Sequence, residues 1–204
     1  MIHLKTAFMY FRRLAFTAVL MALPLTGQAA PANMLIYIHP NEYKHPLKLW
    51  QYYSDYWFEQ GPVVEPLARS MLAEAFGEIG MCGAVNEARS LVWIQPRIYY
   101  NPHMTVFYGE IRASVYTSRG EPVATYLGEA KKHGFLDVVP RSQIEAVYRA
   151  AMQNLITNMQ KNPGLKTLVA DGEINLDAGG ACAIVPNLPP PKLFDLDYLI
   201  KGVN

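Results

Sequence analysis

The first thirty-two residues most constrain what this chain can fold into, because they have the composition of a leader and not of a folded domain. Arg12 and Arg13 precede an apolar run at 14–25, and small residues follow it as far as Ala32. Positive, apolar and small residues in that order are typical of a secretory signal peptide. The apolar run is also shorter than the roughly 20 residues of a membrane span. We therefore predict export to a bacterial periplasm.

The small residues place the cleavage site. Pro31 disfavours cleavage directly before it, so we expect a signal peptide of residues 1–32, ending in Ala30-Pro31-Ala32. The remaining 172 of 204 residues suffice for one domain with its own core. Loss of the three basic leader residues leaves 15 basic and 17 acidic side chains, with no basic tract. The electrostatic footprint for nucleic acid or an anionic membrane surface is therefore missing. We expect no nucleic-acid partner and no transmembrane segment in the mature chain.

Two cysteines, Cys82 and Cys182, lie a hundred positions apart. In an oxidising compartment such an isolated pair favours a disulfide over a zinc site, which needs four ligands at close spacing. The alternative is two buried free thiols, which behave as small apolar side chains. Neither cysteine lies at the cleavage site, so we expect no lipid anchor on a first mature cysteine.

The apolar pattern of the remaining chain predicts four strands and two helices. The strands are expected at 34–38, 91–100, 104–117 and 122–131, and Pro96 indicates an edge or a bulge in the second. The helices are expected at 62–80 and from Ser142 to a stop at Asn162-Pro163-Gly164. The second would begin in the capping box Ser142-Gln143-Ile144-Glu145.

The order β-α-β-β-β-α predicts an α+β fold, in which an antiparallel-rich four-stranded sheet carries two helices on one face as a two-layer sandwich. We expect this domain over residues 33–168, with an aromatic insertion at 41–60. Residues 169–204 would form a loop-rich extension tied back by the disulfide. The apolar stretch 193–200 within it would dock on its own domain or in the groove of a partner.

The layout resembles the small YajG-type lipoproteins of the Gram-negative envelope and, more distantly, the lipopolysaccharide-assembly lipoprotein LptE. The resemblance covers roughly half of the chain. It rests on the helix at 63–80, Leu91-Val92-Trp93-Ile94, the hairpin at Arg119-Gly120 and the second helix as far as Leu168. It implies a non-enzymatic role in binding, chaperoning or positioning an envelope component. The lipid-accepting cysteine of those proteins is absent here.

The aromatic insertion is the most unusual local feature, and its Trp50, Tyr53, Tyr56 and Trp57 are our candidate binding residues. Exposed Trp and Tyr side chains supply rigid contact area with a polar handle, which suits an envelope protein or a glycan as partner. The alternative is that the insertion folds over the sheet face left open by the helices and seals it.

Catalytic and metal-binding patterns are not evident in the sequence. No G-x-S-x-G or H-E-x-x-H motif occurs, and no two histidines stand at i and i+4. His39 and His45 could meet in one loop, but we interpret them as ordinary loop residues. The alternating oxygens of Asp171, Glu173, Asn175 and Asp177 lack the glycine of a calcium loop. We expect no metal, no cofactor and no enzymatic activity.

We consider three hypotheses for the function, in order of preference. The first is a secreted, non-enzymatic binding or accessory protein of the periplasm, associated with the outer membrane, if at all, through a partner. The second is a structural subunit of an envelope assembly or transport system that uses a free sheet edge and the C-terminal segment. The third is a cryptic hydrolase, which would need paired carboxylates with split pKa values in a deep pocket.

Overall fold

The structure, a computed structural model, describes residues 31–84, 86–177 and 179–191. The predictions for the leader and for the apolar stretch 193–200 therefore lie outside the described residues. The elements follow in the order β1 (Ala32–Tyr37), α1 (Pro40–Lys44), β2 (Pro46–Gln51), β3 (Ser54–Glu59), α2 (Gly61–Phe76), β4 (Ile79–Met81), β5 (Ala88–Asn101), β6 (Val106–Thr117), β7 (Pro122–His133), α3 (Pro140–Gln160), α4 (Pro163–Asp171) and a 3-10 helix (Gly180–Asn187).

The α+β class is confirmed, but the predicted antiparallel-rich four-stranded sheet with two helices is wrong. The main sheet has five strands in the order β4-β1-β5-β6-β7, and it is mixed. β1 runs parallel to both β4 and β5, whereas β5-β6 and β6-β7 are antiparallel. A connection through α2 brings β4 back beside β1 in the same direction, as parallel neighbours require. β4 has three residues, too few to produce a periodic signal in the sequence.

The central strand β5 accommodates Pro96 because it is paired differently along its length. Its ladder with β1 ends at the pair Tyr37 and Trp93, whereas its ladder with β6 continues through Pro96 to Asn101. At Pro96 one side of β5 is therefore no longer paired with β1. A residue without an N–H can occupy such a position.

The helices depart from prediction in where they begin and in their number. α3 begins at Pro140 and not at a Ser142 capping box, and its N-cap residue Val139 makes no side-chain capping bond. Proline suits this first position because its φ is already helical and its missing N–H needs no partner. α4 was not predicted: the Asn162-Pro163-Gly164 sequence ends α3 but also starts α4, since Asn162 accepts hydrogen bonds from the N–H groups of Gly164 and Leu165.

One face of the sheet and the helices α2, α3 and α4 enclose the main core. Its fully buried side chains include Met34, Ile36, Leu72, Ile94, Phe107, Ile111, Tyr148, Met152 and Leu165. The long edge strand β7 is also held by polar contacts with α3. Asn154 and Asn158 donate from Nδ2 to the main-chain oxygens of Glu129 (3.3 Å) and Leu127 (3.0 Å). These bonds occupy carbonyls that an edge strand otherwise leaves open to another chain.

The 3-10 helix covers part of the opposite face, and the disulfide holds it there. Cys82 and Cys182 are bonded, with 5.8 Å between their Cα atoms, which confirms the predicted pairing. The neighbouring Ala181 packs in a small apolar cluster with Leu35 and Leu91. None of the helices in residues 31–84, 86–177 and 179–191 combines the length and the apolar character that a membrane span needs.

Candidate functional site

The aromatic insertion contains a β-hairpin, although its sequence showed no clear apolar periodicity. β2 and β3 pair in antiparallel register, with Leu49 opposite Tyr56 and Trp50 opposite Asp55. Alternate side chains therefore point to opposite faces of the hairpin. Those of the inner face join the main core: Leu47, Leu49, Tyr56 and Phe58. The hairpin therefore joins the core that the helices α2, α3 and α4 enclose. The alternative interpretation required it to seal the opposite, open sheet face, and it does not.

The predicted binding residues are divided between these two faces and the turn. Trp50 and Trp57 lie on the outer face with 49% and 57% of their surface exposed, and Tyr53 in the turn is 100% exposed. Tyr56 lies on the inner face, where its ring stacks on Phe58 at 6.0 Å. The structure thus brings Trp50 and Trp57 to one surface and places Tyr56 in the packing beneath it.

A charged pair lies beside the two indoles of the outer face. Lys48 lies directly opposite Trp57 in the hairpin register, and its Nζ stands 5.7 Å from the ring centroid of Trp57. The same Nζ is 2.8 Å from Oδ2 of Asp55, which lies opposite Trp50. We call these four residues, Lys48, Trp50, Asp55 and Trp57, the hairpin platform. It offers two aromatic faces beside hydrogen-bonding groups of both signs.

The base of the hairpin is fixed through α1 and α2. Tyr43 donates from its hydroxyl to Oε2 of Glu65 at 2.7 Å. That hydrogen bond, followed by burial, raises the pKa of Tyr43. The ring of Tyr43 also lies over Gly61, where a Cβ would come within 2.2 Å of it. After β3, Gln60 accepts a hydrogen bond from the buried Tyr148 at 2.5 Å. These contacts fix the base of the hairpin against α1, α2 and α3.

The tip of the hairpin is fixed to the β5-β6 turn. The hydroxyl of Tyr52 is hydrogen-bonded to Nδ1 of His103, and the two rings meet edge to face at 5.2 Å between centroids. Tyr52 also packs edge to face against Trp50 at 5.4 Å. Sequence reasoning missed His103 because its partner lies 51 positions away, and no local pattern connects them.

A buried carboxyl, that of Glu42 in α1, is a second feature that the sequence did not reveal. Burial raises the pKa of Glu42 to about 7, and the neighbouring Trp93, Gln95 and Arg97 offset part of the rise. In the described part of the chain, neither Oε2 of Glu42 nor Nε1 of Trp93 makes a regular hydrogen bond. The groups that lower its pKa are the indole of Trp93, the amide of Gln95, the guanidinium of Arg97 and the backbone of His39. They do not include the second carboxylate that the hydrolase hypothesis needs.

An open groove of about 220 Å³ lies between α2 and α3, lined by Pro62, Val63, Pro66, Leu67, Ser70, Arg141, Glu145 and Arg149. Three of these side chains are charged, and Glu145 and Arg149 are paired with each other at 3.0 Å. Within residues 31–84, 86–177 and 179–191, no three His, Cys, Asp or Glu side chains are grouped as metal ligands would be.

Comparison with known proteins yields distant structural neighbours and no family. No protein-family model matches the chain, and no curated protein does. A PelC dodecamer from Paraburkholderia phytofirmans shares 8% identity over 61% of this chain and 89% of that chain, with a TM-score of 0.34. A "putative lipoprotein" of Caulobacter crescentus CB15 shares 11% identity over 54% and 83%, with a TM-score of 0.31. These scores are too low to assign this chain a fold family or a function, and the resemblance to YajG-type lipoproteins stays a prediction.

Proposed function

We propose that this protein is an exported, non-enzymatic binding protein of the bacterial cell envelope, and that it binds through the hairpin platform. The observation that carries the proposal is the placement of Lys48 between the Trp57 ring and the Asp55 carboxylate, beside a second half-exposed indole. Export is supported by the leader-like composition of residues 1–32 and by the Cys82–Cys182 disulfide, a bond typical of oxidising compartments.

An envelope glycan is the ligand that this chemistry favours. The apolar face of a sugar ring packs on an aromatic face, and its hydroxyl groups need donors and acceptors at the rim. Trp50 and Trp57 supply the aromatic faces, and the ion pair of Lys48 with Asp55 supplies both kinds of polar group. A rigid, half-exposed aromatic surface loses little conformational entropy on binding.

Removal of the indoles is the direct test. We expect Trp50→Ala and Trp57→Ala each to weaken retention on purified peptidoglycan sacculi or on isolated extracellular polysaccharide by about tenfold, equivalent to about 1.4 kcal/mol. Because both side chains are half-exposed, we expect the melting temperature to change little. Leu176→Ala, which truncates a more exposed apolar side chain (78%) outside the hairpin, is the control.

Two results would contradict the proposal. Retention of both variants at the wild-type level would remove the platform from binding. A large loss of stability would assign the indoles to the core instead.

The alternative, a structural subunit that assembles through a free sheet edge, has less support. On β7 the carbonyls of Leu127 and Glu129 already accept hydrogen bonds from α3, and the other edge strand, β4, offers three residues. Sedimentation of the protein recovered from the periplasm separates the two proposals. A monomer agrees with a binding protein, and an obligate oligomer agrees with a structural subunit.

A further inference from the structure

Three connecting segments meet at one end of the main sheet. The hairpin tip reaches the β5-β6 turn through Tyr52 and His103. That turn contacts the segment after β7, where the N–H of Gly134 donates to the main-chain oxygen of Thr105 at 2.9 Å. The same segment is fixed from within the core by the hydroxyl of Tyr100, which donates to the main-chain oxygen of Gly134 at 3.3 Å. The tip, the turn and the segment 134–139 therefore form one continuous surface.

This surface exposes large apolar side chains from all three segments. Val139, Phe135 and Met104 are 65%, 57% and 55% exposed, and Tyr53 is fully exposed. We call the set the apolar end, and its members are Tyr52, Tyr53, Met104, Phe135, Val138 and Val139. Contiguous exposed apolar side chains from separate segments mark an interaction surface, whereas scattered single ones do not.

Basic side chains lie on both sides of the segment 134–139. Lys131, Lys132 and His133 end β7 and are exposed, with Lys131 Nζ 5.2 Å from the ring centroid of Tyr108. Arg141 stands in the first turn of α3, two residues after Val139, and also lines the groove between α2 and α3. Within the segment 134–139 the one acidic residue is Asp137. Lys131, Lys132 and His133 are consecutive in the sequence, a group too short to form a basic tract, and the fold brings it to the end of the sheet where the hairpin tip and the β5-β6 turn meet.

The backbone at this end is strained in two places. Thr105 has φ 51° and Val139 has φ 46°, values that L residues rarely adopt and that a β-branched side chain especially disfavours. Such strain persists where the surrounding structure holds it, and it is concentrated at functional surfaces. Here it directs a valine side chain outward, where the solvent gives no compensating contact.

We propose that the apolar end contacts a phospholipid surface that carries anionic headgroups. Side chains at three separate tips can enter the boundary between headgroups and acyl chains, where Trp and Tyr with both apolar rings and polar groups are favoured. The basic rim complements the headgroup charge. The proposal thereby departs from the expectation of no footprint for an anionic membrane surface, which was based on the charge of the whole chain. This contact uses side chains other than the hairpin platform, so it goes beyond the proposed glycan binding and does not depend on it.

Vesicle sedimentation tests the contact. Protein recovered from the periplasm is mixed with vesicles of phosphatidylethanolamine and phosphatidylglycerol, and in parallel with vesicles of phosphatidylcholine. We expect binding to the anionic vesicles, and at least a tenfold lower partition coefficient for the double variant Phe135→Asp/Val139→Asp. Aspartate tolerates the left-handed backbone at 139, so this variant should remain folded. The charge variant Lys131→Glu/Lys132→Glu should lose the preference for anionic vesicles.

Matched controls separate this contact from the platform. Leu176→Asp introduces one aspartate, against two in the test variant, at an exposed apolar residue near the other end of the sheet, where Asn175 contacts Ser118. Trp57→Ala alters only the platform. Both should bind vesicles like the wild type. Equal partition of the wild type and the Phe135→Asp/Val139→Asp variant, or no binding at all, would overturn the proposal. Self-association that the same variant abolishes would assign the apolar end to a second copy of the chain.

Discussion

Gly128 of β7 lies directly beneath the main-chain oxygen of Ala151 in α3, and a Cβ at position 128 would stand 2.2 Å from that oxygen. The same Cβ would meet the main-chain nitrogen of Leu155 at 2.6 Å. Helix and strand therefore approach more closely here than any side chain allows. This closeness brings Asn154 and Asn158 within hydrogen-bonding distance of the β7 carbonyls.

The first prediction concerns this contact. Gly128→Ala should destabilise the protein by about 2–3 kcal/mol, because the helix backbone must move away from the strand to admit the methyl group. Urea unfolding at constant m-value measures the loss. Gly164→Ala is the control, since a Cβ there meets nothing nearer than Oδ1 of Asn162 at 3.2 Å. Equal stability of the Gly128→Ala variant and the wild type would contradict the close approach.

The second prediction concerns the disulfide. Cys82 and Cys182 close a loop with a sequence separation of 100, so replacing both by serine should cost about 4–5 kcal/mol in the chain-entropy model. The 3-10 helix should also lose protection first, because the disulfide holds it against Leu35 and Leu91. Hydrogen exchange with and without reductant measures both effects. Unchanged protection of residues 180–187 after reduction would show that packing alone holds them.

The third prediction concerns pH. The pKa of Glu42 is about 7 in the folded protein against 4.5 for a free carboxyl, so the folded state holds the proton more tightly. Stability should therefore fall as the pH rises from about 4.5 to about 7, and remain lower above it. Glu42→Gln should remove this fall, with a gain on the order of 2–3 kcal/mol at pH 8 and little at pH 4.

Urea unfolding at both pH values, with the exposed Glu78→Gln as control, measures this change. Two other groups belong to the same environment: Arg97 lowers the pKa of Glu42, and burial, followed by the charge of Glu42, raises the pKa of Tyr37. A pH profile of Glu42→Gln that parallels that of the wild type would place the titrating group elsewhere.

The fourth prediction concerns the strained valine. Val139→Gly should raise stability by about 0.5–1 kcal/mol, because glycine adopts φ 46° without the steric cost that valine has there. This gain exceeds the destabilisation that comes from the greater conformational freedom of glycine in the unfolded chain. Val138→Gly, at the neighbouring exposed valine, should lower stability by a similar amount. Thermal unfolding of both variants measures the opposite signs, and two losses would show that position 139 carries no strain.

Local sequence patterns predicted the elements whose apolar periodicity or turn residues are clear. The antiparallel strands β5, β6 and β7 follow from alternating apolar residues, and the turn between β6 and β7 uses Gly120 at φ 89°. The two long helices follow from their apolar spacing. The start of α3 did not, because Ser142 and Glu145 form a sequence that suits a capping box, while Pro140 two residues earlier already satisfies the first turn.

The candidate site was predictable as a group of residue types but not as a surface. The aromatic insertion has no visible period because both faces of its hairpin carry aromatic rings: Tyr56 and Phe58 inward, Trp50 and Trp57 outward. Which ring faces solvent depends on the register of β2 with β3, and register depends on what the inner face packs against. Glu42 gave no signal at all, since its pKa is raised by burial and partly lowered again by Trp93 and Gln95, which lie about fifty positions away.

By itself the sequence determined the leader-like start, the α+β class and the pairing of Cys82 with Cys182, because these depend on local composition, local periodicity and the number of cysteines. Only the tertiary structure decided the parallel position of β1 between β4 and β5, the exposed face of the hairpin and the contact of Tyr52 with His103. Each of these depends on contacts between distant segments. Such contacts depend on which apolar surfaces bury one another, and the sequence of one segment does not identify the segment that packs against it.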